Sequence, residues 1–299
     1  MPSRQRLSIC EAMALGALQG PTELLPVSSS AHTTLIPWLA GRSYPELDPE
    51  LRKSFEVALH MGAAVALALV MRAELIDAAL GLSRRRIAVI ALSLGPPALA
   101  GYRLERTIEQ RLGGPRSIAA GLTVGALAMA LADLHPGRGT DVEAADGHEP
   151  RHAGRAGEHA RAARGHEDAG PRDGLALGIA QAAALIPGVS RNGATLTAAR
   201  ARGFARDDAQ TLSWHAGLPV IFGASALKAW RLWRGGVHKG AGPALAAGAG
   251  SAFISTAASA GLLRRLRVSA RSLLPFAVYR CTIAAIAVLR LRRTQNMNG

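Results

Sequence analysis

Six apolar stretches, each close to the length needed to cross a bilayer, leave this 299-residue chain few folds to choose from. They run from about Phe55 to Met71, Ile87 to Tyr102, Ser117 to Leu134, Leu212 to Trp230, Pro243 to Leu263 and Leu273 to Leu289. A hydrocarbon core of ~30 Å takes about 20 helical residues. Hydrophobic residues make up 49% of the chain but aromatics only 4%, so the apolar mass is Ala, Leu, Val and Gly, which lets helices approach closely in lipid. The predicted fold is an all-α polytopic integral membrane protein.

Two further apolar regions, Leu7 to Ala40 and Gly174 to Ala199, are each split by a polar segment containing Pro and Gly. Broken backbone at membrane depth is tolerated only where protein or a wet cavity covers it, so both read as re-entrant helical hairpins. A gapless shift of 162 residues lays Ala14-Leu15-Gly16 on Ala176-Leu177-Gly178, Gln19 on Gln181, Val27-Ser28 on Val189-Ser190 and Thr33 on Thr195. If each hairpin returns to its own side, the three full spans between them make the second enter from the opposite face. The sequence thus predicts a single membrane domain, 1–299, with a first inverted half at 1–134, a flexible hydrophilic loop at 135–173 and a second inverted half at 174–299. The first apolar run belongs to this plan rather than to a cleaved leader, because cleavage there would remove or abut the polar motif.

A formal net charge of +14 would suggest nucleic acid in a soluble protein. Here the arginines sit in short clusters between spans, such as Arg84-Arg85-Arg86 and Arg290-Leu291-Arg292-Arg293, with no interleaved aromatics to stack on bases. Nucleic acid is therefore excluded as a partner and the bilayer takes its place. Lys and Arg are nearly balanced between the two sides, so orientation stays open. Cys10 and Cys281 have no disulfide or zinc spacing. His148 and His152 lie one helical turn apart in the loop, which has nothing to hold them in a metal-binding geometry.

Ionisable groups at membrane depth cost roughly 2.5–3.5 kcal/mol each, so those that persist usually face a cavity and have a task. Glu11, Glu23, His32, Glu56, His60, Arg191 and Arg280 are such groups. Glu23 stands between Pro21 and Pro26, where the helix is expected to open. Ser28, Ser29, Ser30 and His32 then place hydroxyls and an imidazole on one short turn, as a nucleophile and its proton acceptor require. In the second break, Pro187-Gly188-Val189-Ser190-Arg191-Asn192-Gly193 sets a guanidinium at an expected helix start, where free amides attract anions. A carboxylate on one motif and an arginine on the other suit a diphosphate with a divalent cation. The plainer roles are Ser28 and Ser30 satisfying freed carbonyls, Arg191 as a salt-bridge partner of Glu23, and Glu56 pairing with His60 or Arg280.

At these residues the chain resembles the undecaprenyl-diphosphate phosphatase family associated with bacitracin resistance. Gln19-Gly20-Pro21-Thr22-Glu23-Leu24-Leu25-Pro26-Val27-Ser28-Ser29-Ser30-Ala31-His32 matches its first motif and Pro187 to Thr195 its second, with further similarity at Phe55-Glu56-Val57 and at Pro275 to Arg280. The resemblance implies hydrolysis of undecaprenyl diphosphate to the monophosphate, recycling a lipid carrier for peptidoglycan, in a multi-pass protein of the bacterial inner membrane that depends on Mg2+ or Ca2+. It implies that Glu23 handles the metal or the proton, that Ser29 or His32 is the nucleophile or its base, and that Arg191 clamps the diphosphate. Substrate contacts are expected from Gln19, Ser28, Ser30, Ser190, Asn192 and Thr195. Three departures stand out: Ala31 for the motif glycine, Leu24 for phenylalanine and Asn192 for serine. Ala31 would be strained if that position needs positive φ. The rival reading is a polyprenyl-phosphate transporter or flippase, which needs binding groups but no nucleophile. The oligomeric state stays open, a homodimer included.

Overall fold

The computed structural model describes residues 7–42, 44–134, 163–236, 240–266 and 272–297. Among these residues the chain is helical, with one isolated bridge between Arg164 and Phe204. The helices are α1 (Ile9–Leu24), α2 (Ser29–Leu39), α3 (Pro49–Val70), α4 (Arg72–Leu80), α5 (Arg84–Leu112), α6 (Pro115–Leu134), α7 (Pro171–Ala183), α8 (Arg191–Ala201), α9 (Arg206–Gly235), α10 (Gly242–Arg265) and α11 (Leu274–Met297). Five of the described helices, α3, α5, α6, α10 and α11, are long and apolar enough to cross a membrane. The remaining expected span, Leu212 to Trp230, lies inside α9, whose 30 residues would reach about 45 Å but carry charge at both ends. By contrast α1, α2, α7 and α8 have 16, 11, 13 and 11 residues.

The short helices are lodged against helices from the far end of the sequence. α1 packs on α10, and α7 packs on α5; α3 meets α9 and α6 meets α11. The Ala-Leu-Gly triplet common to α1 and α7 makes two of these contacts close. A Cβ on Gly16 would stand 2.5 Å from the Gly248 carbonyl oxygen of α10, and one on Gly178 would stand 2.5 Å from the Leu92 oxygen of α5. Only a hydrogen fits at either place. Gly178→Val is expected to cost about 1–3 kcal/mol or more through overpacking, read as a fall in thermal midpoint of the detergent-purified protein.

Proline inside these helices is answered from the partner helix. The opening expected between Pro21 and Pro26 falls at Leu25, where the chain turns extended; α1 itself runs past Pro21 to Leu24. Pro21 cannot donate to the carbonyl four residues back, that of Ala17, so Ser255 Oγ of α10 donates to it instead, at 2.5 Å. The same happens in α5, where Pro97 frees the carbonyl of Ser93 and Gln181 Nε2 of α7 donates to it at 3.0 Å. Each substitute donor comes from a helix that also supplies the packing surface.

The two broken segments meet each other, and a fully buried arginine ties them. Arg280 of α11, 1% exposed, donates through Nη1 to the Pro26 oxygen (3.2 Å) and through Nη2 to the oxygens of Gly188 (3.0 Å) and Gly121 (3.4 Å). Those of Pro26 and Gly188 have no helical amide to accept from, because the chain is turning there, whereas Gly121 lies within α6 and only shares its oxygen. Asn192 adds a second tie, its Nδ2 donating to the Leu24 oxygen at 2.6 Å.

Part of the expected flexible loop is fixed. Arg164 pairs with the backbone of Gly203 and Ala205, and its guanidinium joins Arg202 on the buried carboxylate of Asp173. Burial opposes ionisation of Asp173, but hydrogen bonds from Arg164, the Gly170 amide and Arg202 outweigh it and hold the carboxyl at about 2. Residues 163–173 therefore dock on the ends of α8 and α9 because Asp173 gathers two arginines there. The rest of the loop, with His148 and His152, lies outside the described residues.

Candidate active site

Glu23, on the last turn of α1 and 8% exposed, is the centre of a polar cluster between the broken tips. Its Oε1 accepts from Arg191 Nη2 at 2.8 Å; its Oε2 accepts from Ser29 Oγ at 2.9 Å and from Gln19 Nε2 at 3.2 Å. Gln19 sits one helical turn before Glu23, so the i to i+4 spacing brings both side chains to one face. Its second amide hydrogen points to His60 Nδ1 at 3.2 Å, which leaves the His60 proton on Nε2. His60 Nδ1 lies 3.9 Å from Glu23 Oε2, and the imidazole is 37% exposed, the most open part of the cluster.

Arg191 is the first residue of α8, with Ser190 as its cap accepting from the Gly193 amide at 3.1 Å. The guanidinium lies against Gly217 of α9, where a Cβ would overlap Nη1. That Nη1 is buried and has no hydrogen-bond partner, so one donor of the clamp is free for a ligand. Ser29 stands at the first turn of α2, where unpaired amides and the helix dipole favour an anion.

His32 is placed apart from this cluster. It is 1% exposed, its Nδ1 donates to the Ser28 oxygen at 2.7 Å and its Nε2 accepts from Tyr279 Oη at 2.7 Å, with the two rings stacked 5.5 Å apart. Both ring nitrogens are therefore engaged, and Ser29 bonds Glu23 instead of the imidazole that the sequence set beside it. Tyr279→Phe separates the two roles open to His32. If the ring positions the Ser28 turn, losing a bond worth about 0.5–1.5 kcal/mol lowers kcat up to about tenfold and lowers the thermal midpoint. A proton acceptor freed of its partner would instead keep or raise kcat.

The remaining expected substrate contacts divide between the surface and the interior. Ser30 is exposed and within 3.3 Å of Ser28 Oγ. Ser190 is occupied as a cap. Asn192, 2% exposed, holds the Leu24 oxygen and accepts from Ser213 at 2.9 Å, and Thr195, fully buried, bonds the Arg191 oxygen and Ser213. Asn192 is thus tied into the protein in a way that explains why an amide can stand there. Ala31 is unstrained, since it lies within α2; the strained residue is Ser28, at φ 78° and ψ 99°, a conformation costing about 1–3 kcal/mol.

His60 was among the groups expected to face a cavity, with Glu56 or Arg280 as its partner; the structure sets it beside Gln19 and Glu23 instead. A signal exists in the sequence: His60-Met61-Gly62 with Val65 recurs as His215-Ala216-Gly217 with Val220. The donor set does not suit a resident divalent cation. Glu23 is a lone carboxylate with both oxygens engaged, whereas Mg2+ and Ca2+ take six or more oxygen ligands, and no three His, Cys, Asp or Glu converge among the described residues.

The chain is similar to known proteins over nearly its whole length. The family described as bacitracin resistance protein BacA matches residues 12–286. An undecaprenyl-diphosphatase of Geobacter sulfurreducens is 37% identical over 296 residues, covering 95% of this chain and 98% of that protein. One from Geobacter metallireducens is 37% identical over 290 residues (93% and 96%), and one from Burkholderia mallei 32% over 288 (94% and 95%). With both motifs folded into one cluster and the match running almost end to end, the chain belongs to the bacitracin resistance protein BacA family.

Proposed function

We propose that the protein is a membrane phosphatase that hydrolyses undecaprenyl diphosphate to undecaprenyl phosphate and inorganic phosphate. The observation that carries this reading is the bond from Ser29 Oγ to Glu23 Oε2, with Arg191 on the other carboxylate oxygen and its Nη1 free. A hydroxyl with a carboxylate acceptor is an activated nucleophile, and a guanidinium beside it is an anion clamp; a transporter needs only the second.

Ser29 Oγ gives its proton to Glu23 and bonds to the terminal phosphorus of the diphosphate. The bond from that phosphorus to the bridging oxygen breaks, and its electron pair leaves with undecaprenyl phosphate. Glu23 hands that proton to the departing phosphate oxygen; it then takes one from the water that displaces Ser29 Oγ from the phosphoserine and returns it to Ser29 Oγ, so that phosphate is released and the serine restored. Arg191 Nη1 and the first amides of α2 hold the phosphoryl oxygens. His60 Nε2–H, on the open side of the cluster, faces the leaving diphosphate oxygens. His32 and Tyr279 keep the Ser28 turn in its strained form and so aim Ser29.

Were a divalent cation to accompany the substrate, it would supply neutralising charge for the diphosphate, and Glu23 would be the cluster's carboxylate toward it. The inverted halves, with re-entrant tips meeting at mid-membrane, are supported by the exchange pattern in which α1 packs on α10 as α7 packs on α5. The reaction recycles the lipid carrier at the bacterial inner membrane, where the substrate resides. The test is phosphate release from a C15 or C55 prenyl diphosphate by the purified protein. Lipid binding without release would sink the phosphatase reading in favour of a transporter.

A further inference from the structure

The surroundings of Gln19 recur around Gln181 with an instructive difference. A shift of 162 carries Gly16 and Gln19 to Gly178 and Gln181, and the His-x-Gly-x-x-Val match carries His60 to His215. The first set lies on α1 and α3 beside α10; the second lies on α7 and α9 beside α5. Between α5, α7 and α9 is a cavity of about 240 Å³, below the range of about 300–1,000 Å³ typical of drug-sized ligands. Its floor is apolar, built by Val89, Leu177 and Leu212.

The rim is cationic. Arg85, Arg86, His166 and His215 line it, against Glu167 as the lining carboxylate. Half-buried Arg86 gives only Nη1 to protein, donating to the Gly81 oxygen at 3.0 Å, so Nε and Nη2 are free for a ligand. His166 is held by Asp208, its Nδ1 2.6 Å from Oδ1, and its ring stands 6.2 Å from that of His215 in an edge-to-face pair. Ser83, the cap of the 29-residue α5, completes the rim.

The same shift places Leu185 opposite Glu23 and Arg191 opposite Ser29. The second pocket therefore has cations and imidazoles but, at the matched positions, neither the carboxylate base nor the nucleophilic hydroxyl. We propose that the cavity between α5, α7 and α9 is a second phosphate-binding site, which takes inorganic phosphate or the phosphomonoester head of an anionic lipid and does not cleave it. The free Nε and Nη2 of Arg86 match a tetrahedral oxyanion, Arg85 adds its charge while its Nε and Nη2 hold the Ala169 and Asp168 oxygens, and a site this small admits the head alone.

The experiment uses the full chain with Arg191→Ala in the background, which silences the first clamp. In one arm inorganic phosphate is titrated into detergent-purified protein and followed by 31P line broadening. In the other, protein in phosphatidylcholine nanodiscs with or without phosphatidic acid is assayed for retained phosphatidic acid. Adding Arg86→Ala, or His215→Gln as an independent variant, is expected to weaken binding at least about tenfold, with the thermal midpoint recorded to exclude misfolding. A loss in the first arm identifies free phosphate, and a loss in the second alone identifies the lipid head. Binding indifferent to both variants in both arms, or no binding in either, overturns the proposal. Phosphate binding through Arg86 in this background, together with no phosphate release from prenyl diphosphate by protein with Arg191 intact, would refute the hydrolytic reading and leave this one standing.

Discussion

Ser29→Ala is expected to lower kcat for phosphate release at least about 10³-fold while changing lipid affinity little, because in the proposed mechanism it removes the atom that accepts the phosphoryl group and leaves the Arg191 clamp in place. Glu23→Gln is expected to fall as far, but for two reasons. The amide cannot accept the Ser29 proton, and it leaves the Arg191 charge without its buried counter-ion, at a cost of roughly 3–5 kcal/mol. The two variants therefore differ in stability while agreeing in rate. Steady-state kinetics on a prenyl diphosphate, paired with thermal midpoints, reads both quantities. Ser29→Ala with more than a tenth of native kcat would remove Ser29 as nucleophile.

Arg280→Ala is expected to have the largest effect on the fold. Two turn oxygens, on Pro26 and Gly188, lose their donor at once, and a buried polar group left unpaired costs about 1–3 kcal/mol. A loss of roughly 3 kcal/mol or more follows, together with activity, since the freed tips carry Ser29 and Arg191. Arg280→Lys brings one compact ammonium in place of a planar fork and is expected to recover only part of it. Thermal unfolding followed by size-exclusion profile in detergent measures this, and an unchanged midpoint in Arg280→Ala would show that the tips are held by other contacts.

The sequence made the helices and the two motifs legible because both signals are local: runs of apolar residues, and polar residues crowded into a break. It placed Glu23, Ser29 and Arg191 as candidates, and the structure brings those three into one cluster. What it hid are bonds between segments far apart in the chain. The opening between Pro21 and Pro26 was legible, but not that α1 runs past Pro21 to Leu24 because Ser255 replaces the missing amide. Ala31 looked like the strained position because the motif has glycine there, yet the positive φ falls three residues earlier, at Ser28. Arg280 looked like a partner for Glu56 or His60, both acidic or polar neighbours by type, but its donors go to carbonyls that only the tertiary fold exposes. Seven identities between the halves also understate their likeness, since Gly16 and Gly178 do the same work against partners, Gly248 and Leu92, that share no sequence.

The bond between Ser255 and Ala17 also bears on how the protein comes into being. Its two ends are 238 residues apart, so at a synthesis rate of about 5–20 residues per second α1 exists for roughly 10–50 s before its substitute donor leaves the ribosome. Throughout that interval the first hairpin holds an open carbonyl and an unfilled seat at Gly16, and Arg280 is later still. The tip that carries Glu23 and Ser29 is thus among the first parts translated and among the last completed, and a nascent chain holds these side chains well before it has the contacts that fix them.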